Sequence, residues 1–296
     1  MRIVIPGGSG QVGAILARAF ADDDVTVIGR GGPVVWDGRT LGPWVDAIDG
    51  ADVVINLAGR SVNCRYNEAN RRAIMDSRVD STCVIGEAIA QAANPPRVWL
   101  QSSTATIYAG RYDAPNDERT GIIGDGFSVD VAQAWERAAV ESCPLATRLV
   151  LLRSAMVMSP DRGGVFDVMS WLARLGLGGS VAGGRQYVSW IHDQDFVRAV
   201  RFLIERDDLA GAVNLAAPGP LPQREFMRVL RSAWRMPVGL PATKWMAEIG
   251  AFAIRSDTEL LLKSRRVVPR RLVDAGFSFG YPDWRSSAAD LVPRHR

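Results

Sequence analysis

The segment Gly7-Gly8-Ser9-Gly10-Gln11-Val12-Gly13 spaces three glycines as G-x-x-G-x-x-G, directly after the apolar run Ile3-Val4-Ile5. Between a strand and a helix this spacing has a mechanism. Gly7 permits the tight turn, Gly10 lets a diphosphate approach the backbone, and Gly13 lets helix and strand pack closely. The N–H groups of the helix N-terminus, at Gln11 and Val12, attract the phosphates. A dinucleotide is the expected ligand. The next apolar run, residues 25–29, ends on Arg30. An acidic residue there would accept a ribose 2′-hydroxyl, whereas a guanidinium suits a 2′-phosphate, so NADP(H) is expected over NAD(H). Further on, Val53-Val54-Ile55 passes into Asn56-Leu57-Ala58-Gly59. These small residues can lie against the adenosine half of a cofactor, or simply end a strand.

A second group of residues offers proton and carbonyl chemistry. Ser103 and Thr104 follow the run 98–101, where a hydroxyl can polarise a carbonyl, and Tyr108 stands four residues beyond Thr104. Glu136 could bind a ribose hydroxyl or act as a base, or sit on a solvated helix face. His192, in Trp190-Ile191-His192-Asp193-Gln194-Asp195, is expected to hold a strand-to-helix turn, with Asp193 or Asp195 as helix N-cap. Arg65 and Arg78 could meet an anion or make surface ion pairs. Trp135, Trp171 and Trp190 are expected in the core, or as walls of an apolar pocket. The glycine-rich loop 176–184 is either a mobile cover or a long turn.

Positioning these groups requires one sizeable core, and 296 residues at 47% hydrophobic composition can supply it. The net charge is +3, and only two of the 35 basic residues are lysine, with acids spread among them. No basic stripe suggests nucleic acid as a partner. No run of 18 apolar residues suggests a membrane span. The three cysteines, Cys64, Cys83 and Cys143, form no C-x-x-C pair, so neither a metal site nor a disulfide framework is expected. Together with an N-terminus that enters a strand at once, this reads as a cytoplasmic protein.

The first half alternates short apolar runs with amphipathic stretches. Strands are expected at 3–5, 25–29, 34–36, 53–56, 98–101 and 149–153, and helices at 11–21, 67–93 (stopped by Pro95-Pro96) and 129–141. This alternation implies an α/β fold of Rossmann type, a doubly wound parallel sheet with helices on both faces. Later, a helix at 163–175, a helix at 195–205 and a strand at 213–215 are expected, the last two returning to the sheet. From Ala217 onward prolines and short helices point to a smaller, mostly helical C-terminal lobe. The expected division is a dinucleotide-binding part, 1–160 with 187–216, and a substrate lobe, 161–186 with 217–296.

Several segments resemble a known family. Gly7 to Gly13, Asn56 to Gly59 and Ser102-Ser103-Thr104-Ala105-Thr106-Ile107-Tyr108 are similar to the extended short-chain dehydrogenase/reductases. Arg65-Tyr66-Asn67-Glu68 with Asp76-Ser77-Arg78-Val79, and Leu175-Gly176-Leu177-Gly178-Gly179 continuing to Ser189-Trp190-Ile191-His192, resemble its atypical, sugar-nucleotide-epimerase-like branch. Pro241, Arg265-Arg266-Val267-Val268-Pro269 and Gly276-Phe277 look like the small C-terminal domain of unknown function of that branch. The resemblance implies that Ser102 lines the cofactor site and that Thr104 stands at the catalytic serine or threonine position. It also shows departures. Pro6 and Gln11 stand where threonine and a large apolar residue are usual, and Ala132 where cysteine is common.

Most of the superfamily works through Tyr-x-x-x-Lys on the helix after the fifth strand, where the lysine lowers the phenol pKa. None of Tyr66, Tyr108, Tyr112, Tyr187 and Tyr281 has a lysine four residues on. By resemblance, Ala132 occupies the tyrosine position and Glu136 the lysine position. Three readings stay open. One is an NADP(H)-dependent oxidoreductase acting on a small-molecule carbonyl, imine or activated alkene, with Thr104 or Ser103 orienting the acceptor and the proton coming from Tyr108 or water. Another is an NADP(H)-binding sensor without chemistry. The third is a cofactor-assisted isomerase or cyclase. A monomer or homodimer is expected.

Overall fold

The computed structural model describes residues 1–242 and 263–293. Eleven strands and eight α-helices are named here within that range. The strands are β1 (Arg2–Pro6), β2 (Asp24–Gly29), β3 (Val34–Val35), β4 (Val53–Asn56), β5 (Val98–Thr104), β6 (Arg148–Ser154), β7 (Met156–Met158), β8 (Tyr187–Val188), β9 (Trp190–His192), β10 (Gly211–Leu215) and β11 (Leu221–Pro222). The helices are α1 (Gln11–Ala19), α2 (Glu68–Gln91), α3 (Phe127–Ser142), α4 (Val165–Arg174), α5 (Asp193–Glu205), α6 (Gln223–Ala233), α7 (Arg270–Asp274) and α8 (Trp284–Leu291).

Seven strands form one sheet in the order β10-β6-β5-β4-β1-β2-β3, and every pairing in it is parallel. The central strands are apolar throughout because helices cover both faces: Ile3, Ile5, Val53, Ile55, Val98 and Leu100 are completely buried. One face packs on Ile15 and Leu16 of α1 and on Phe196, Val200 and Leu203 of α5. The other packs on Val84, Ile85 and Ile89 of α2, and Trp99 and Ala139 lie in the same cluster. Burying each such side chain stabilises the fold by about 1.5–3 kcal/mol. Strand order, not direction, reverses at β1 and β4: β2 and β3 continue to one side of β1, whereas β4, β5, β6 and β10 continue to the other, and in sheets of this kind ligands bind in the crevice beyond the C-terminal ends of the strands at that switch point.

The C-terminal part is a smaller, helical layer. Trp284 of α8 stacks on Phe226 of α6, ring centroids 3.9 Å apart, and lies 5.0 Å from Trp190. Phe166 of α4 joins the same buried cluster. The short pairs β7–β9 and β8–β11, which sequence periodicity is too brief to show, connect this layer to the sheet.

Two expectations need correction. Trp171, placed in the core or a pocket wall, is 57% exposed on α4, whereas Trp135 and Trp190 are buried. The cap of α5 is His192 itself, whose ring nitrogen accepts from the N–H of Gln194 at 3.1 Å; Asp193 and Asp195 lie in the first turn. The loop 176–184 is pinned at both edges. Leu240 N–H donates to Gly176 O, Ala182 N–H to Ala242 O, and Val181 N–H to the Gln223 side chain. These bonds suit a fixed turn rather than a moving cover.

Candidate functional site

The glycine loop joins β1 to α1 at the crevice. Gly7 has φ +74°, a left-handed conformation that favours glycine. A Cβ there would press on the Ala58 backbone, and a Cβ at Gly13 would overlap the backbone of Gly8. Gly10, by contrast, is exposed and a Cβ on it would meet nothing within 4 Å. Backbone bonds tie three strand ends to the loop: Gly7 N–H donates to Ile28 O and Leu57 N–H to Pro6 O, both at 2.8 Å. Gly10 is the N-cap of α1 and contributes no side chain, and the first helical bond there runs from Ala14 N–H to Gly10 O. The N–H groups of Gln11, Val12 and Gly13 therefore precede any intrahelical acceptor and carry the positive end of the helix.

Arg30 follows β2 at the same end of the sheet. It is exposed and makes no ion pair among the described residues. On the other side of β1, Asn56 is buried. Its amide donates to Gln101 Oε1 at 2.9 Å and its carbonyl accepts from Ala58 N–H at 3.0 Å, which fixes the turn Leu57-Ala58-Gly59. The Arg78 side chain lies against Gly59. Its guanidinium donates to the carbonyls of Arg60 and Ile74 and rests 5.0 Å from the Trp135 ring centroid, with no carboxylate paired to it among the described residues. Burial holds its pKa below the usual arginine value.

At the end of β5 the hydroxyls divide by strand alternation. Ser102 and Thr104 are partly exposed, while Ser103 is 5% exposed. Thr104 caps a 3₁₀ turn (Ala105–Ile107), accepting from Thr106 N–H at 3.1 Å and donating to the Thr106 hydroxyl at 2.9 Å. Ser103 donates instead to Glu136 Oε1 of α3 at 2.6 Å. That carboxylate is clamped by Arg153 of β6 through two bonds of 2.8 and 2.7 Å. Arg153 also donates to the Tyr108 hydroxyl at 2.9 Å, and Tyr108 donates to Asn214 Oδ1 of β10 at 3.0 Å. The Asn214 N–H in turn donates to Glu118 at 2.8 Å.

This buried chain has clear electrostatics. Burial disfavours the Arg153 charge, yet the Glu136 carboxylate holds its pKa above the ordinary value. Burial likewise pushes the Tyr108 phenol upward, against the opposing effect of Arg153, and pushes up the Glu118 carboxyl. Tyr108, expected as a proton donor, is thus 1% exposed and bonded on both sides. Ala132, at the position where the resemblance puts a tyrosine, is fully buried among Ile107, Val129 and Val267.

Arg153, Asn214 and Glu118 were not singled out from sequence. A signal existed for the first two: Arg153 directly follows the apolar run 149–152, and Asn214 interrupts the run 213–215. His192, 1% exposed, sits 3.0 Å from Asp193 and 3.2 Å from Asp290 of α8 and stacks on Tyr281. It fastens the C-terminal helix rather than facing the crevice hydroxyls. Among the described residues no group of three or more His, Cys, Asp or Glu residues is placed to hold a metal ion. No described helix is long and apolar enough to cross a membrane.

A parallel sheet of this order with a glycine loop at its switch point defines a dinucleotide-binding fold of the short-chain dehydrogenase/reductase type. Residues 3–216 match the NAD dependent epimerase/dehydratase family, and residues 243–291 match a domain of unknown function, DUF1731. The chain belongs to the NAD dependent epimerase/dehydratase family. It is 30% identical to the mouse epimerase family protein SDR39U1 over 99% of this chain and 100% of that one. It is 33% identical to an epimerase family protein of Mycobacterium bovis, covering 94% and 93% of the two chains. A crystal structure of human SDR39U1 (isoform 2) with NADPH superposes with a TM-score of 0.85 at 27% identity, over 98% of this chain and 99% of that one.

Proposed function

We propose that this chain binds NADP(H) in the crevice beyond β1 and β4 and acts as an oxidoreductase on a small organic molecule. The observation that carries the cofactor preference is Arg30: an exposed guanidinium with no carboxylate partner among the described residues, at the end of β2 beside the glycine loop. The similar human protein was crystallised with NADPH, which supports the same reading. The residues present fit the cofactor. Gly10 leaves open space and the first turn of α1 offers uncapped N–H groups, as a diphosphate requires.

Bound NADPH would supply a hydride to an electrophilic carbon of the substrate. The protein's part is to bind and orient. Gly7, Gly10, Gln11, Val12 and Gly13 present backbone to the diphosphate, and Arg30 holds the 2′-phosphate. Asn56, Leu57, Ala58, Gly59 and Ser102 wall the cofactor, and Arg78 adds a positive charge beside Gly59. Of the three hydroxyls expected to be catalytic, Thr104 alone is partly exposed and not tied to the buried chain, so it is the one to orient the acceptor atom. Ser103 and Tyr108 act as positioning residues, since their hydroxyls already donate hydrogen bonds to Glu136 and Asn214. The proton that completes a reduction then comes from water.

The locked state of Glu136 and Tyr108 also favours a second reading, an NADP(H)-binding sensor without turnover. Calorimetric titration of the wild type and Arg30→Ala with NADPH and NADH tests the cofactor reading. A charge-assisted contact is worth about 1.5–3 kcal/mol, so Arg30→Ala should weaken NADPH binding roughly 10–100-fold and leave NADH nearly unchanged. Equal binding of both cofactors by the wild type would refute the Arg30 assignment. NADPH consumption in a screen of carbonyl, imine and alkene acceptors would separate the oxidoreductase from the sensor.

A further inference from the structure

The side-chain amide nitrogen of Gln11 is fully buried and has no hydrogen-bond partner among the described residues. It lies at the start of α1, against Gly164, so close that a Cβ on Gly164 would overlap the carboxamide. Gly164 is itself the N-cap of α4, again without a side-chain cap. An ion pair of 2.5 Å between Arg18, in the last turn of α1, and Asp161, before α4, also joins the two segments. The one carboxylate in the first turn of α4, Asp167, is exposed and accepts from Gly163 N–H at 2.9 Å. Gln11 therefore adds an unpaired donor where backbone donors of two helices already converge. What is missing is an acceptor, and an anionic oxygen answers all three sets of donors at once. Leaving a buried donor unpaired is unfavourable, so the geometry is one that binding would relieve.

The geometry points to Gln11 as a specificity residue that donates its side-chain amide to the nicotinamide-side phosphate of the bound dinucleotide. This rests on the NADP(H) reading above. The assignment to that phosphate follows from topology. Arg30 lies at the end of β2, on the adenosine side of the switch point, whereas α4 follows β6 and β7 on the opposite side. Gln11 reaches toward α4, away from Arg30.

The test is calorimetric and needs no substrate. NADPH and adenosine 2′,5′-bisphosphate, which has the adenosine-side phosphates but no nicotinamide-side phosphate, are titrated into the wild type, Gln11→Leu and Gln11→Glu. Gln11→Leu is expected to weaken NADPH roughly tenfold, the worth of about one hydrogen bond to a charged group, and to leave adenosine 2′,5′-bisphosphate unchanged. Gln11→Glu, nearly the same shape but repelling phosphate, should lose more than Gln11→Leu. Without ligand, Gln11→Leu should melt no lower than the wild type, because it removes an unpaired buried donor. Unchanged NADPH affinity in Gln11→Leu, or an equal loss for both ligands, overturns the assignment while the cofactor reading stands. Failure of the folded wild type to bind NADPH overturns both.

Discussion

Replacing Arg153 by methionine isolates the pair at the centre of the buried polar chain. Arg153 and Glu136 have side chains only 13% and 11% exposed and share two short bonds. In Arg153→Met the Glu136 carboxylate keeps the Ser103 hydroxyl but loses its cation. An orphaned buried charge of this kind costs about 3–5 kcal/mol. At roughly 2–4 °C per kcal/mol for a domain of this size, the melting temperature should fall by about 6–20 °C. Arg153→Met with Glu136→Leu removes both charges and should recover most of the loss, to within about 1 kcal/mol of the wild type. Urea unfolding followed by circular dichroism and tryptophan fluorescence measures this, with coincident transitions checking two-state behaviour. A loss under about 1 kcal/mol in Arg153→Met, or a double variant as unstable as the sum of its parts, would refute the reasoning.

Tyr108→Phe removes a hydroxyl that joins Arg153 to Asn214 and should cost about 1–2 kcal/mol at neutral pH. Because burial raises the Tyr108 pKa, the folded protein keeps a proton that the unfolded chain loses near pH ~10. The stability gap between wild type and Tyr108→Phe is therefore full below that pH and shrinks above it, as unfolding monitored from pH 8 to 11 would register. Thr104→Val keeps the side-chain shape but deletes the turn cap. It should cost about 1 kcal/mol of stability, leave NADPH affinity unchanged, and lower turnover of a screened substrate roughly 100-fold; undiminished turnover would remove Thr104 from the chemistry.

Much of the crevice was legible before any coordinates. The loop from Gly7 to Gly13, Arg30 after β2, and the turn from Asn56 to Gly59 are each local features, and each falls at the C-terminal end of its strand as expected. Strand and helix alternation up to β6 carried the sheet, because a parallel sheet covered on both faces forces apolar runs that can be read one at a time. The short pairs β7–β9 and β8–β11 were not legible, since two or three residues show no period. Trp171 illustrates a different limit: a large apolar residue on a helix gives no indication of which face its neighbours will cover.

The sequence by itself determined the glycine turn, the uncapped start of α1 and the absence of a Tyr-x-x-x-Lys relay, because all three depend on residues within a few positions of one another. Only the tertiary structure decided which partners the polar residues of the sheet and of α3 would meet. Ser103, Tyr108, Glu118, Glu136, Arg153 and Asn214 come from β5, α3, β6, β10 and the intervening loops, up to 111 positions apart in sequence, and they meet only when β5, β6 and β10 lie side by side. What a buried polar group meets depends on what the fold brings against it. Among the described residues the Glu136 carboxylate found the Arg153 guanidinium, the Arg78 guanidinium found two backbone carbonyls and an indole ring, and the Gln11 amide nitrogen found no acceptor, and nothing local in the chain distinguishes the three.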